Sequence, residues 1–146
     1  MIEDVYQTEL LRLAARASGA GRLAAPDASA TVDNPLCGDR ITIDLQLADG
    51  HIAAVGYEVK ACVLCQASAS LIGAHAPGAG QAELHEVAHA VSAMLRGAGE
   101  APGGRWADYA RFEPVRAHKS RHECVTLPFQ ALLQALASDV PKDRES

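Results

Sequence analysis

The stretch from residue 34 to residue 70 decides the fold; it opens with Asn34-Pro35-Leu36-Cys37-Gly38-Asp39 and closes with Cys62-Val63-Leu64-Cys65-Gln66-Ala67-Ser68-Ala69-Ser70. Between these ends, apolar residues occupy every second position from Ile41 to Leu47, which is the period of a strand with one buried face. Asp49-Gly50 predicts a tight hairpin turn, and a return strand follows from His51 to Val59. We expect this return strand to alternate strictly, with Ile52 and Val55 on opposite faces.

Helical patterns surround the hairpin, at about residues 4–17, 62–75, 84–95 and 124–137, and a short strand is predicted at 30–33. Residues 106–112 are compatible with a short helix or a folded loop. The last helix contains Pro128, which we expect in its first turn because proline is tolerated there. The element order predicts an α+β fold with an N-terminal helix, a small three-stranded antiparallel sheet and a C-terminal group of helices. We expect one domain over residues 1–140 and a polar tail at 141–146.

Composition excludes several classes of protein. The chain has 146 residues, 49% of them apolar, and a formal net charge of -5. Wrapping nucleic acid or lying on anionic lipid requires a basic surface, so neither partner is expected. No apolar run reaches bilayer length, and the first residues lack the basic region of a signal peptide. We therefore expect a cytoplasmic protein.

The four cysteines are more informative than the overall composition and charge. In a reducing compartment they are expected to act as ligands or reactive thiols and not as disulfides. Cys62 should lie at a helix N-terminus, where the dipole favours thiolate. Cys124 follows a basic run, residues 119–122, which we expect to lower its pKa. Three thiolates, from Cys37, Cys62 and Cys124, together with the Asp39 carboxylate would make a four-ligand set suited to zinc or to an iron-sulfur cluster.

The carboxylate in this set predicts transient binding. A hard oxygen is a poor permanent ligand for a centre that prefers thiolate. A site with one aspartate should therefore release its cargo more readily than a site with four cysteines. The alternative is a closed zinc site that only braces three loops.

A second motif, His85-Glu86-Val87-Ala88-His89, has the H-E-x-x-H pattern of zinc peptidases. On a helical wheel, however, both histidines point away from the apolar stripe, whereas a zinc peptidase directs them into its cleft. No third ligand follows at the expected spacing. We interpret the motif as a solvated helix face and keep a metallopeptidase only as a distant alternative.

Three motifs occur in order along the chain: Asn34-Pro35-Leu36-Cys37-Gly38-Asp39, Cys62 followed by Gln66-Ala67-Ser68-Ala69-Ser70, and Arg121-His122-Glu123-Cys124-Val125-Thr126-Leu127. Together they resemble the U-type iron-sulfur cluster assembly scaffolds, the NifU N-terminal, IscU and SufU group. The resemblance implies a SufE/NifU-like fold that accepts sulfur from a cysteine desulfurase, holds a transient [2Fe-2S] cluster or Zn²⁺, and passes its cargo to recipient apoproteins or a carrier.

By this match, the ligands are Cys37, Asp39, Cys62 and Cys124, and the candidate sulfur acceptors are Cys124 and Cys37. The resemblance implies a scaffold or sulfur carrier more than a conventional enzyme. Cys65 stands where the family usually has a small residue without a thiol. Cys65 could replace Asp39 as a ligand or form a disulfide with Cys62 on oxidation. We interpret it as an auxiliary or bystander thiol.

The C-terminal half is most similar to the SufU-like branch. The Leu-Pro-Pro-Val-Lys motif that serves a dedicated Hsp70 chaperone is replaced here by Glu113-Pro114-Val115-Arg116-Ala117, so no Hsp70 handover of that type is expected. Arg121, three residues before Cys124, also resembles SufU and is an auxiliary site candidate. This branch implies the main alternative function, a zinc-dependent sulfur acceptor that partners a SufS-type desulfurase.

Overall fold

A computed structural model describes residues 2–34 and 38–138, with side chains from Thr8 onward. The proposed ligand Cys37 and the predicted tail at 141–146 lie outside the described residues. No helix in the described part of the chain is long and apolar enough to cross a membrane.

The described elements confirm the predicted α+β class. In chain order they are α1 (Ile2–Arg16), β1 (Ala28–Asn34), β2 (Asp39–Ala48), β3 (His51–Lys60), α2 (Val63–His75), α3 (Gln81–Leu95), a 3₁₀ segment (Gly104–Ala117), a 3₁₀ turn (Lys119–Arg121) and α4 (His122–Ser138).

The three strands form an antiparallel sheet in the order β1-β2-β3. The alternation predicted for β2 is present: Ile41, Ile43 and Leu45 are fully buried. α4 packs against β1 and β2, and α2 packs against α1, β3 and α4. The core therefore lies between one face of the sheet and the helices, and it places the starts of α2 and α4 beside the sheet.

The strict alternation expected along β3 is wrong. Gln46 pairs with Ala54, but the next residue, Leu47, pairs with Ile52, so Ala53 is an extra residue in β3. A bulge of this kind shifts the phase of the strand by one position. Ile52 and Val55 are consequently both buried, although they lie an odd number of residues apart.

The other face of the sheet is covered by residues 17–27, here called the strap. Its anchor is the fully buried Asp44 of β2. The Asp44 carboxylate accepts hydrogen bonds from Arg22 Nε at 2.6 Å, Ser29 Oγ at 2.6 Å and the Leu23 amide at 3.0 Å. Burial alone would raise the pKa of Asp44, but the hydrogen bonds from Arg22, Ser29 and Leu23 outweigh it, so this pKa lies below its usual value.

Two glycines allow the strap to approach closely. A Cβ at Gly56, the cross-strand neighbour of Asp44, would lie 2.5 Å from the Gly21 carbonyl oxygen. A Cβ at Gly73 of α2 would lie 1.7 Å from the Ser18 carbonyl oxygen. The strap therefore contacts both the sheet and α2 at positions where only glycine fits without a shift.

Residues 104–117 form a 3₁₀ segment that extends beyond the predicted 106–112. Its buried side chains are spaced three apart: Trp106, Tyr109, Phe112 and Val115. A 3₁₀ helix has three residues per turn, so this spacing puts all four on one face. This period of three is visible in the sequence but matches neither the strand period of 2 nor the α-helix period of 3.6.

The expectation that Pro128 lies in the first turn of the last helix is also wrong. α4 begins at His122, directly after the 3₁₀ turn, and Pro128 is its seventh residue. Proline has no N–H group, so it cannot donate the usual hydrogen bond to the carbonyl four residues earlier, which belongs to Cys124. The first turn of α4 thus begins with one backbone hydrogen bond fewer than a regular helix.

Candidate metal centre

Three of the predicted ligands meet in space. One carboxylate oxygen of Asp39 and the Sγ atoms of Cys62 and Cys124 all lie within 4.8 Å of one another. Among the described side chains, no other group of three or more histidines, cysteines, aspartates or glutamates is arranged so that it could hold a metal ion. The ligands come from three elements, the start of β2, the residue before α2 and the first turn of α4.

Asp39 is positioned by the turn between β1 and β2. It pairs with Asn34 across the end of the two strands, and the Gly38 amide donates to the Asn34 carbonyl at 2.9 Å. Gly38 has a φ of +75°, which favours glycine. Asp39 is only 7% exposed, and its Oδ2 atom has no hydrogen-bond partner among the described residues. Because a buried, unpaired carboxylate oxygen is costly, this atom is suited to a bound cation.

Cys62 is the N-cap of α2, as the sequence predicted. Its backbone is extended, with φ -69° and ψ 170°, and its side chain makes no capping hydrogen bond. The Gln66 side chain donates to the Ala61 carbonyl at 2.9 Å, and the Gln66 amide donates to the Cys62 carbonyl at 3.1 Å. The helix start is therefore held by Gln66, and the Cys62 thiol, which is exposed, is available to a ligand.

Cys124 is buried, and the pKa of its thiol is raised. The cause is first burial, then the charge of Cys62 and its hydrogen bond, and then the nearby Asp39. The prediction that the basic run upstream lowers this pKa is wrong, because Lys119 and Arg121 are exposed to water. Three acidic groups crowded together disfavour thiolate unless a cation neutralises them.

The third basic residue, His122, has another role. Its Nε2 atom lies 3.1 Å from the carbonyl oxygens of both Val115 and Arg116. These contacts hold the end of the 3₁₀ segment against the start of α4. His122 thus fixes the chain just before Cys124.

The residues fit a metal centre. Two sulfurs bound to one tetrahedral zinc at 2.3 Å would lie roughly 3.8 Å apart, which is compatible with the observed grouping within 4.8 Å. Two soft thiolates and one hard carboxylate suit zinc or iron. The exposed Cys62 leaves one side of the group open to solvent, so an ion or a small cluster could enter without unfolding the chain.

Other candidates are not part of this group. Cys65 is fully buried one turn beyond Cys62 and is absent from the ligand group. His85, Glu86 and His89 are all exposed, as expected for a solvated helix face.

A buried polar cluster beside the site was missed in the sequence. Ser68 of α2 donates its hydroxyl to the Val125 carbonyl at 2.7 Å, and Tyr109 of the 3₁₀ segment donates to the Ser68 carbonyl at 2.9 Å. The only signal was the presence of serines among the small residues of a buried helix. The strap anchor Asp44 was also missed, because an aspartate at an outward position of a strand is normally solvated.

The chain is similar to one protein family and to a protein named as an iron-sulfur cluster assembly scaffold. A profile of the NifU-like N terminal domain family matches residues 5–107. The iron-sulfur cluster assembly scaffold protein IscU of Thermotoga maritima is 29% identical over 103 residues, which cover 70% of this chain and 72% of that protein.

Solved structures agree with this match. A nitrogen-fixing NifU-like protein (N-terminal) from Brucella abortus has a TM-score of 0.90 at 40% identity, covering 97% of this chain and 98% of that one. A putative iron-sulfur cluster assembly scaffold protein for the SUF system from Fervidobacterium islandicum has a TM-score of 0.80 at 22% identity, covering 87% and 93%, and shows the shared fold. Because the profile spans well over half of the chain, this protein belongs to the NifU-like N terminal domain family.

Proposed function

We propose that this protein is an iron-sulfur cluster assembly scaffold. In this role it accepts sulfur from a cysteine desulfurase, assembles a transient [2Fe-2S] cluster and transfers the cluster to recipient apoproteins or a carrier. The observation that carries the proposal is the grouping of Asp39, Cys62 and Cys124 within 4.8 Å in a chain of this family. Cys37, two residues before Asp39 in the sequence, is the proposed fourth ligand.

The burial of the ligands supports temporary storage. Asp39 and Cys124 are 7% and 6% exposed, whereas Cys62 is open to solvent. Cargo held on such a group would be shielded on one side and reachable on the other. The carboxylate would weaken its retention relative to a site of four thiolates.

The sulfur acceptor is proposed to be Cys124 or Cys37. In the transfer step, the acceptor thiolate attacks the outer sulfur of a persulfide on the desulfurase. A new S–S bond forms on the acceptor, the S–S bond of the donor breaks, and the donor cysteine leaves as a thiolate. Because Cys124 is buried, the donor persulfide would approach it past the exposed Cys62.

The compactness of the site favours a second candidate function. The three ligand atoms are close enough to share one tetrahedral ion. In this alternative, the protein holds zinc and acts as a sulfurtransferase partner of a SufS-type desulfurase. The two functions use the same residues and differ in cargo.

The test is an analysis of metal and acid-labile sulfide in protein purified without oxygen, before and after incubation with iron, cysteine and a desulfurase. Equal amounts of iron and sulfide, with visible absorbance, would support the scaffold. Persistent stoichiometric zinc without sulfide, in a protein that accelerates the desulfurase, would support the alternative.

A matched pair of variants on one helix controls for folding. Cys62→Ala removes a proposed ligand, whereas Cys65→Ala removes a buried thiol one turn away that does not belong to the ligand group. We expect only Cys62→Ala to lose the cargo. If Cys62→Ala and Cys65→Ala retained equal amounts of iron, sulfide or zinc, this result would contradict both functions.

A further inference from the structure

The start of α4 is tied to the middle of α2 by a buried hydrogen bond, and a second buried hydrogen bond supports it. The Ser68 hydroxyl donates to the Val125 carbonyl at 2.7 Å. The Tyr109 hydroxyl lies 3.0 Å from the Ser68 hydroxyl and donates to the Ser68 carbonyl at 2.9 Å. All three residues are fully buried. Water therefore cannot replace a lost partner without opening the core.

The sequence of α4 explains why a hydrogen-bond donor from another helix stabilises its first turn. Pro128 deprives the Cys124 carbonyl of its usual backbone donor, so the first turn of α4 is less constrained by its own hydrogen bonds. The next carbonyl along the chain, of Val125, is the one that receives the Ser68 hydroxyl. The bond from α2 thus reaches the carbonyl next to the one that lacks its donor, in the same turn of the helix.

Tyr109 holds the serine in this orientation. Burial raises the pKa of the Tyr109 hydroxyl, so it stays protonated and remains a donor. Tyr109 donates its one proton to the Ser68 carbonyl, while its oxygen lies 3.0 Å from the Ser68 hydroxyl oxygen, so the Ser68 proton remains available for Val125.

The Ser68–Val125 hydrogen bond connects the two helices that carry the sulfur ligands. Ser68 and Cys62 belong to the same helix and its N-cap, and Val125 is the residue directly after Cys124. A shift of α4 along α2 would change the separation of the two Sγ atoms, which are now within 4.8 Å. Small changes in ligand separation matter because a tetrahedral site demands sulfurs roughly 3.8 Å apart.

We propose that Ser68, locked by Tyr109, is a positioning residue that sets the Cys62–Cys124 distance and thereby the affinity of the site for a thiolate-binding metal ion. The inference rests on the proposed metal site, whichever of the two cargoes the protein carries. Groups that hydrogen-bond a metal ligand directly typically contribute about 10- to 100-fold to metal affinity. Ser68 bonds the backbone next to a ligand, so we expect an effect at the lower end of this range.

Ser70 provides a matched control. It is 2% exposed, lies two residues further along α2, and its Oγ accepts the Ser18 amide at 3.2 Å. Its hydrogen bond therefore connects α2 to the strap and not to α4. Ser68→Ala and Ser70→Ala remove the same group from the same helix and differ in the element that loses its partner.

The experiment titrates the reduced, metal-free full chain with Co²⁺ and then displaces Co²⁺ with Zn²⁺. We expect Ser68→Ala to raise the Co²⁺ dissociation constant by about 10-fold and to weaken the thiolate-to-cobalt absorption band. Ser70→Ala should stay within about threefold of the unaltered chain and keep the band. Tyr109→Phe should fall between them, because it leaves the Ser68–Val125 bond in place, and it provides the same comparison if Ser68→Ala does not fold.

Equal dissociation constants and equal spectra for the Ser68 and Ser70 variants would overturn the positioning role while leaving the metal site intact. Absence of a thiolate-to-cobalt band in the unaltered chain would overturn the metal site itself and this inference with it. The two failures are thus distinguishable in one titration series.

Discussion

In the proposed scaffold, we expect the Asp39 carboxylate to limit how long a cluster is held. In Asp39→Ala the hard oxygen ligand is lost, so we expect a reconstituted cluster, then held by thiolates, to persist longer, by a factor of about two or more. The metal-free variant should be at least as stable as the parent, because it no longer buries a carboxylate oxygen that has no hydrogen-bond partner among the described residues. Cluster lifetime is measured as decay of visible absorbance in the presence of a chelator.

Asp33→Ala is the control for this change. Asp33 is an exposed carboxylate of β1 that pairs with Arg40 and lies outside the ligand group. Its loss should leave the cluster lifetime unchanged. A shorter lifetime in Asp39→Ala than in Asp33→Ala would contradict the transient-ligand interpretation.

The position of Cys62 was predictable from the local sequence. Cys62 was expected at a helix start because an alanine- and serine-rich helical run follows it, and the structure makes it the N-cap. The pKa of Cys124 was not predictable in this way. It depends on burial and on the proximity of Cys62 and Asp39, which lie far away in sequence, and these outweigh the basic residues nearby in the chain.

Among the elements, the strap depends on one buried carboxylate, and this makes its stability depend on pH. The pKa of Asp44 is lower in the folded chain than in the unfolded one, so its contribution is present above about pH 4 and is lost as pH falls through the folded value. We expect Asp44→Asn to cost about 2 kcal/mol at pH 7, because it loses charge-assisted hydrogen bonds. The difference between variant and parent should narrow below pH 4 in urea unfolding, and a constant difference from pH 3 to pH 7 would contradict this account.

The contact between the strap and α2 predicts whether a substitution in α2 raises or lowers the free energy of unfolding. Gly73→Ala should gain about 1 kcal/mol from helix propensity. The new Cβ, however, would lie 1.7 Å from the Ser18 carbonyl oxygen, and forcing such a contact costs about 1–3 kcal/mol or more. We expect net destabilisation by urea unfolding. Gly103→Ala, where a Cβ meets nothing within 4 Å, should be close to neutral, and a more stable Gly73→Ala would refute the close packing of the strap.

Elements with a regular local period were predictable, and those defined by tertiary contacts were not. The β2–β3 hairpin followed from alternation and Asp49-Gly50, because both signals are local. The bulge at Ala53 and the start of α4 at His122 depend on packing against other elements, so local pattern gave neither.

Across the whole molecule, the candidate centre joins segments that are distant in sequence. In the sequence, only residue type and family resemblance associate Asp39 with Cys62 and Cys124. No periodicity implies that the first turn of the last helix meets a hairpin end. The packing of α4 across β1 and β2 and along α2 brings these parts together.

Such a centre predicts that metal binding stabilises the entire fold. An ion held by β2, the start of α2 and α4 binds the folded chain, and the three ligands separate when the chain unfolds. At free Zn²⁺ of 100 times the dissociation constant, the free energy of unfolding should rise by about 2.7 kcal/mol, less any binding of zinc to cysteines of the unfolded chain. Urea unfolding of the reduced protein with buffered Zn²⁺ measures this gain. Cys124→Ala should abolish it and Cys65→Ala should retain it; a gain that survives in Cys124→Ala would place the bound zinc elsewhere in the chain.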